Sequence, residues 1–116
     1  MKSILFTTLF FSTISAAAET ITYHCHGISV SSMGSAAKRE EGEEKTYLFV
    51  NGETEIFSER VLCDFSESVI YCRSEKFNRT LEIERTGRRV KDLYEIFKHG
   101  QQHVKIEFNG SCMQSD

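Results

Sequence analysis

Two residue types in this chain carry chemistry at informative spacings: cysteine and histidine. The thiols are Cys25, Cys63, Cys72 and Cys112. No Cys-x-x-Cys pair occurs, so the common thiolate metal knuckle is absent. An even count in a small exported domain points to disulfides, and four cysteines allow three pairings. The favoured set is Cys25–Cys112 with Cys63–Cys72. The first would close a loop of nearly the whole domain, worth about 4–5 kcal/mol in the chain-entropy account before strain is subtracted. That contribution matters in a domain this small, whose core is modest. His24 and His26 flank Cys25. On a strand they point to one side, a spacing able to hold a metal, with His99 and His103 as further donors. A bridged Cys25 is no ligand, and exposed polar residues beside a disulfide are the simpler account of the pair. No metal and no cofactor is expected.

The setting for those thiols is read from the first 18 residues. Lys2 supplies a positive start, Ile4 to Ile14 is an apolar run, and Ala16-Ala17-Ala18 offers the small side chains a signal peptidase admits. The run falls short of the ~20 apolar residues that span a bilayer core. The reading is a signal peptide over 1–18 and a secreted single domain over 19–116, with no membrane attachment after cleavage. Removing Lys2 lowers the basic count from 14 to 13 against 17 acidic residues, a net of −4. That balance gives no reason to expect a polyanion partner. Arg85, Arg88, Arg89 and Lys91 are the candidates for a local basic strip, or for a solvated turn and strand edge. Asn78-Arg79-Thr80 and Asn109-Gly110-Ser111 are glycosylation sequons.

The elements that position these residues read as α+β. Ile21, Tyr23 and Cys25 alternate as on a strand, which Gly27 breaks into a short hairpin. Ser31 and Ser32 suit the N-cap of a short helix over Met33 to Glu41, with Val30, Met33 and Ala37 as its apolar stripe and Gly42 as its stop. Gly34 and the Glu40, Glu41, Glu43, Glu44 cluster oppose that helix, and an acidic loop is the alternative. From Thr46 the pattern is β. Tyr47 to Val50 and Thr54 to Phe57 flank Asn51-Gly52, a type I′ turn signal. Val61 to Cys63 and Val69 to Cys72 flank Ser66-Glu67-Ser68. A hairpin centred near Glu67 and Ser68 sets Cys63 opposite Cys72; another register leaves two buried thiols. Thr80 to Glu84 alternates, Thr86-Gly87 turns, and Val90 to Phe97 fits a strand better than a helix because its connections are short. Lys98 to Gln102 turns into a last strand carrying Val104, Ile106 and Phe108 toward Cys112. The chain has no proline, repeat or linker.

In order, these elements resemble the small fungal guanyl-specific ribonucleases, and more closely the RNase-like secreted effectors of powdery mildew fungi. The resemblance is carried by Tyr23-His24-Cys25 after the leader, Gly27, Ala36 and Ala37, Tyr47 with Asn51 and Glu53, and Gly110-Ser111-Cys112 at the end. It implies a ribonuclease-like fold: an N-terminal hairpin and one short helix packed on a twisted antiparallel sheet. The ribonuclease reaction needs a carboxylate base, histidines and an arginine. By the resemblance Glu59 would be the base, Arg79 the arginine and His99 the final histidine. Phe49 stands in place of the other histidine and Leu48 in place of a proline. His99 is about one residue out of step, and on a strand that turns a side chain to the opposite face. The resemblance therefore implies a pseudo-ribonuclease: a secreted virulence effector translocated into host plant cells. There it would bind host defence proteins, or RNA, and meet intracellular immune receptors.

Two other readings compete. One is an active ribonuclease using Glu59. The other is similar to the periplasmic inhibitors of c-type lysozyme, which also begin with Tyr-x-Cys and end with a cysteine on a small antiparallel β-barrel. Their Ser-Gly…Tyr loop and Trp-containing segment are missing here, and the chain has no Trp. A helix at 33–41 would count against that reading and an eight-stranded barrel for it.

Overall fold

The structure, a computed structural model, describes residues 19–115. The leader reading over 1–18 lies outside them. Nine strands follow one another: β1 Thr20–Met33, β2 Ala36–Val50, β3 Glu53–Ile56, β4 Glu59–Leu62, β5 Asp64–Phe65, β6 Val69–Ser74, β7 Arg79–Glu84, β8 Arg89–Lys98 and β9 Gln101–Ser115. They form one antiparallel sheet in the order β4-β3-β2-β1-β9-β8-β7-β6-β5. The expected α+β fold is overturned: the described residues contain strands and turns and no helix.

The segment read as a helix is the top of a long hairpin. Met33 pairs with Ala36 across a turn whose first residue, Gly34, has φ of +62°. Glycine in that position is what a II′ turn requires. Ser31 and Ser32 are not caps; they pair with Lys38 and Ala37. The apolar stripe misled because residues 36–42 are exposed on both faces, so no alternation marks them as a strand. Their partner β1, itself paired with β9, holds them extended. Gly27 does not break β1, and Gly42 does not end an element. The register shifts at Gly27–Ser29, where two residues of β2, Glu41 and Gly42, stand against one of β1, Ile28. That is a bulge with Gly42 at φ +73°.

The rest of the β reading stands. Asn51 and Gly52 turn with φ of +53° and +81°, the left-handed pair of a I′ turn. Val90 to Phe97 lies within β8. Asp64 pairs with Tyr71, so the hairpin register sets Cys63 opposite Cys72, and the two are bridged. Cys25 pairs with Cys112 across β1 and β9, also as a disulfide.

The two edge strands of the sheet, β4 and β5, are separated in the chain only by Cys63. One residue cannot span an open sheet of nine strands, since neighbouring strands lie ≈ 4.8 Å apart. The sheet therefore curls until its edges meet and becomes a nearly closed barrel. Inside lie Tyr23, Phe49, Ile56, Ile70, Leu81, Ile83, Val90 and Phe108 with both disulfides. Phe49 meets Tyr23 and Phe65 edge to face, at 6.3 and 5.6 Å between ring centroids. Burying side chains of this size contributes about 1.5–3 kcal/mol each.

Candidate functional site

The residues assigned to catalysis by resemblance are not brought together. Glu59 opens β4, and its carboxylate accepts a 2.6 Å hydrogen bond from the buried Ser74 hydroxyl. His99 is exposed in the turn between β8 and β9. Arg79 opens β7 and is held by Asp92 of β8. No described pocket is lined by two of the three. Phe49, at the expected histidine position, is 1% exposed and belongs to the core. The geometry of a ribonuclease site is absent from the described residues.

The other sequence candidates are accounted for locally. His24 contacts Thr46 Oγ1 and Ser115 Oγ at 3.3 Å each. No group of three or more His, Cys, Asp or Glu side chains suited to a metal occurs among the described residues. Tyr23 is buried and donates to Gln114 Oε1 at 3.1 Å. Of the basic strip, Arg85 donates to Ser66 O and Lys91 lies 3.8 Å from Glu107. Arg89 and Lys91 share their groove with Glu82 and Glu84, so positive charge does not accumulate there. Asn78 Nδ2 donates to Glu95 O, and Asn109 is exposed on β9.

What the fold does assemble is a polar cluster at the mouth of the barrel. Asp92 is 4% exposed. Arg79 grips it with Nε to Oδ1 at 2.8 Å and Nη2 to Oδ2 at 2.6 Å, and Tyr47 Oη donates to Oδ2 at 2.8 Å. Three strands contribute: β2, β7 and β8. The Asp92 hydrogen bond holds the Arg79 guanidinium above its usual basicity. Burial, with the Asp92 charge next, drives the Tyr47 phenol far above its ordinary value. Tyr47 thus stays a neutral donor and cannot act as a base. Both Asp92 oxygens accept hydrogen bonds, Oδ1 from Arg79 and Oδ2 from Arg79 and Tyr47. Arg79 also lies over the Phe57 ring, 4.7 Å from its centroid, and Phe57 packs against Tyr94 and Phe77.

A cavity of about 170 Å³ opens here, lined by Lys45, Phe57, Arg79, Asp92, Tyr94, Ile106 and Phe108. A larger groove of about 570 Å³ shares Lys45 and Arg79 and runs past Tyr47, Leu48 and Arg60. The cluster can bind and orient; it holds no activated nucleophile. Sequence reasoning singled out Arg79 and Tyr47 but missed Asp92, Lys45 and Phe57. A charged residue at an inward position of alternating β8, between Val90 and Tyr94, was the available signal for Asp92.

From the mouth, the inward face of the sheet runs on beyond the barrel. Directly paired residues share a face. Ser31, Ile106, Tyr94 and Arg79 form one row across β1, β9, β8 and β7, and Met33, Val104 and Ile96 form the next. Met33 and Ile96 are 61% and 36% exposed. The core face thus continues on the long arms of β1, β8 and β9 as a partly exposed apolar surface, with Lys38 and Ala36 of β2 at its flank. Comparison with protein-family models, with curated proteins and with solved structures finds no match.

Proposed function

We propose that the chain is an exported, non-catalytic binding protein, a virulence effector that docks on a host plant protein. The observation that carries the binding role is the partly exposed continuation of the core face, Met33, Ile96, Val104 and Ile106, beside the charged mouth. Contiguous exposed apolar surface rimmed by polar groups marks protein contact sites. Export is supported by the leader-like run and by two disulfides in a small domain. The host-directed role, with detection by an intracellular immune receptor, comes from the resemblance at Tyr23-His24-Cys25 and its partner cysteine. It invokes no ribonuclease fold.

A second reading is an inhibitor of c-type lysozyme. The observation in its favour is an all-antiparallel, nearly closed sheet with no helix at 33–41. One pair of assays separates the readings. RNA cleavage by the oxidised chain, run beside an active guanyl-specific ribonuclease, is expected to be nil. Turnover would refute the binding reading in favour of an enzyme. Stoichiometric inhibition of a c-type lysozyme would select the second reading over the first. In either binding reading, Met33→Asp and Ile96→Asp should weaken partner binding at least tenfold while the fold is kept.

A further inference from the structure

The cavity at the barrel mouth has a charge and a size that select its ligand. Two cations line it, Lys45 and Arg79, against one carboxylate, Asp92. Arg79 has committed Nε and Nη2 to that carboxylate, and its Nη1 donors make no hydrogen bond among the described residues. Lys45 has no carboxylate within 4.0 Å among the described residues; its ammonium lies 5.4 Å from the Phe108 ring centroid. Tyr47, beside them, is neutral. The lining thus carries one uncompensated positive charge. The walls are apolar and aromatic: Phe57, Tyr94, Ile106 and Phe108. At about 170 Å³ the space is close to the ~150 Å³ apolar cavity that takes benzene. A cation half-removed from water beside apolar walls favours a partner that is anionic at one end and apolar at the other.

We infer that the barrel mouth binds a carboxylate carried on a short or flat apolar group. Lys45 is its ionic partner, Arg79 a hydrogen-bond donor and Phe57 and Phe108 its walls. The inference rests on the reading of the chain as a binding protein and names the chemistry of its contact. Phosphate monoesters fit less well, because a dianion meets one uncompensated charge in a largely aromatic pocket. Two sources present the same chemistry: an aspartate or glutamate side chain of a docked protein, and a free small carboxylate.

The test is an amide-shift titration of the ¹⁵N-labelled, disulfide-bonded chain at neutral pH. Three probes are used: benzoate, its neutral counterpart benzamide, and N-acetyl-glutamate N-methylamide. Benzoate should give saturable shifts centred on Lys45, Arg79 and Phe108, with benzamide at least tenfold weaker. Lys45→Met should weaken benzoate at least fivefold and Lys45→Arg should restore it. If the methionine variant is misfolded, Lys45→Gln takes its place. Equal binding of benzamide, or no effect of removing the Lys45 charge in a folded variant, would overturn the inference. Saturation by the capped glutamate assigns the site to a protein side chain; saturation by benzoate alone assigns it to a free carboxylate. Absence of binding by either carboxylate would sink the proposal. Lysozyme or host-protein binding that survives that result would leave the binding-protein reading standing by itself.

Discussion

Arg79 and Asp92 meet edge to edge across β7 and β8, through two parallel hydrogen bonds of 2.8 and 2.6 Å. The pair sits where the barrel opens, with the arginine side chain 17% and the aspartate 4% exposed. Removing one partner of such a pair strands the other in a poorly solvated place, at about 3–5 kcal/mol for a fully buried case. Asp92→Asn should therefore lower stability by about 3 kcal/mol, read from urea midpoints. A loss below about 1 kcal/mol would show that water already solvates the arginine.

The raised Tyr47 phenol makes stability fall in alkali. Its folded value lies above its unfolded value of about 10. The contribution is complete below pH ~10. Above that the unfolded chain loses the proton while the folded chain keeps it, so stability drops with rising pH. Denaturation midpoints at pH 8, 10 and 11 should decline, and Tyr47→Phe should flatten that decline. An unchanged alkaline slope in the variant would contradict the assignment to Tyr47.

The two disulfides should differ in weight. Cys25–Cys112 spans 87 residues and Cys63–Cys72 spans 9. The chain-entropy account assigns them about 4.6 and about 2.7 kcal/mol. The Cys25→Ala/Cys112→Ala variant should unfold at lower urea than the Cys63→Ala/Cys72→Ala variant. The latter should show its fastest hydrogen exchange at residues 62–65, where the barrel edges meet. Equal loss in both would mean that strain or residual structure outweighs loop length.

Restoring the histidine that the ribonuclease resemblance calls for should not create an enzyme. Phe49 fills the core between Tyr23 and Phe65. Phe49→His removes aromatic volume and buries an imidazole with no partner, at about 3 kcal/mol or more. Thermal melting should show the loss, and RNA should stay uncut. Cleavage by a folded variant would revive the catalytic reading.

Much of the β half was legible in residue pattern. Thr80 to Glu84 and Val69 to Cys72 alternate because one face is buried and the other wet, and Asn51-Gly52 demands left-handed backbone. The Cys63–Cys72 bridge followed from counting outward from Glu67 and Ser68. Residues 33–44 were illegible for the opposite reason. Both faces of that hairpin meet water, so periodicity carries no signal there, and strand pairing with β1 and β9 decides.

The sequence by itself determined the thiol count, the charge balance, the turns and most strands, because each rests on local residue types and a period of two. Closure of the sheet, the burial of Phe49 and the meeting of Lys45, Tyr47, Arg79 and Asp92 were decided only by tertiary structure. Those residues lie on three strands: β7 and β8 are neighbours, but β2 is distant from them in the chain, and only the curl that brings β4 to β5 turns its inward residues toward theirs at one mouth.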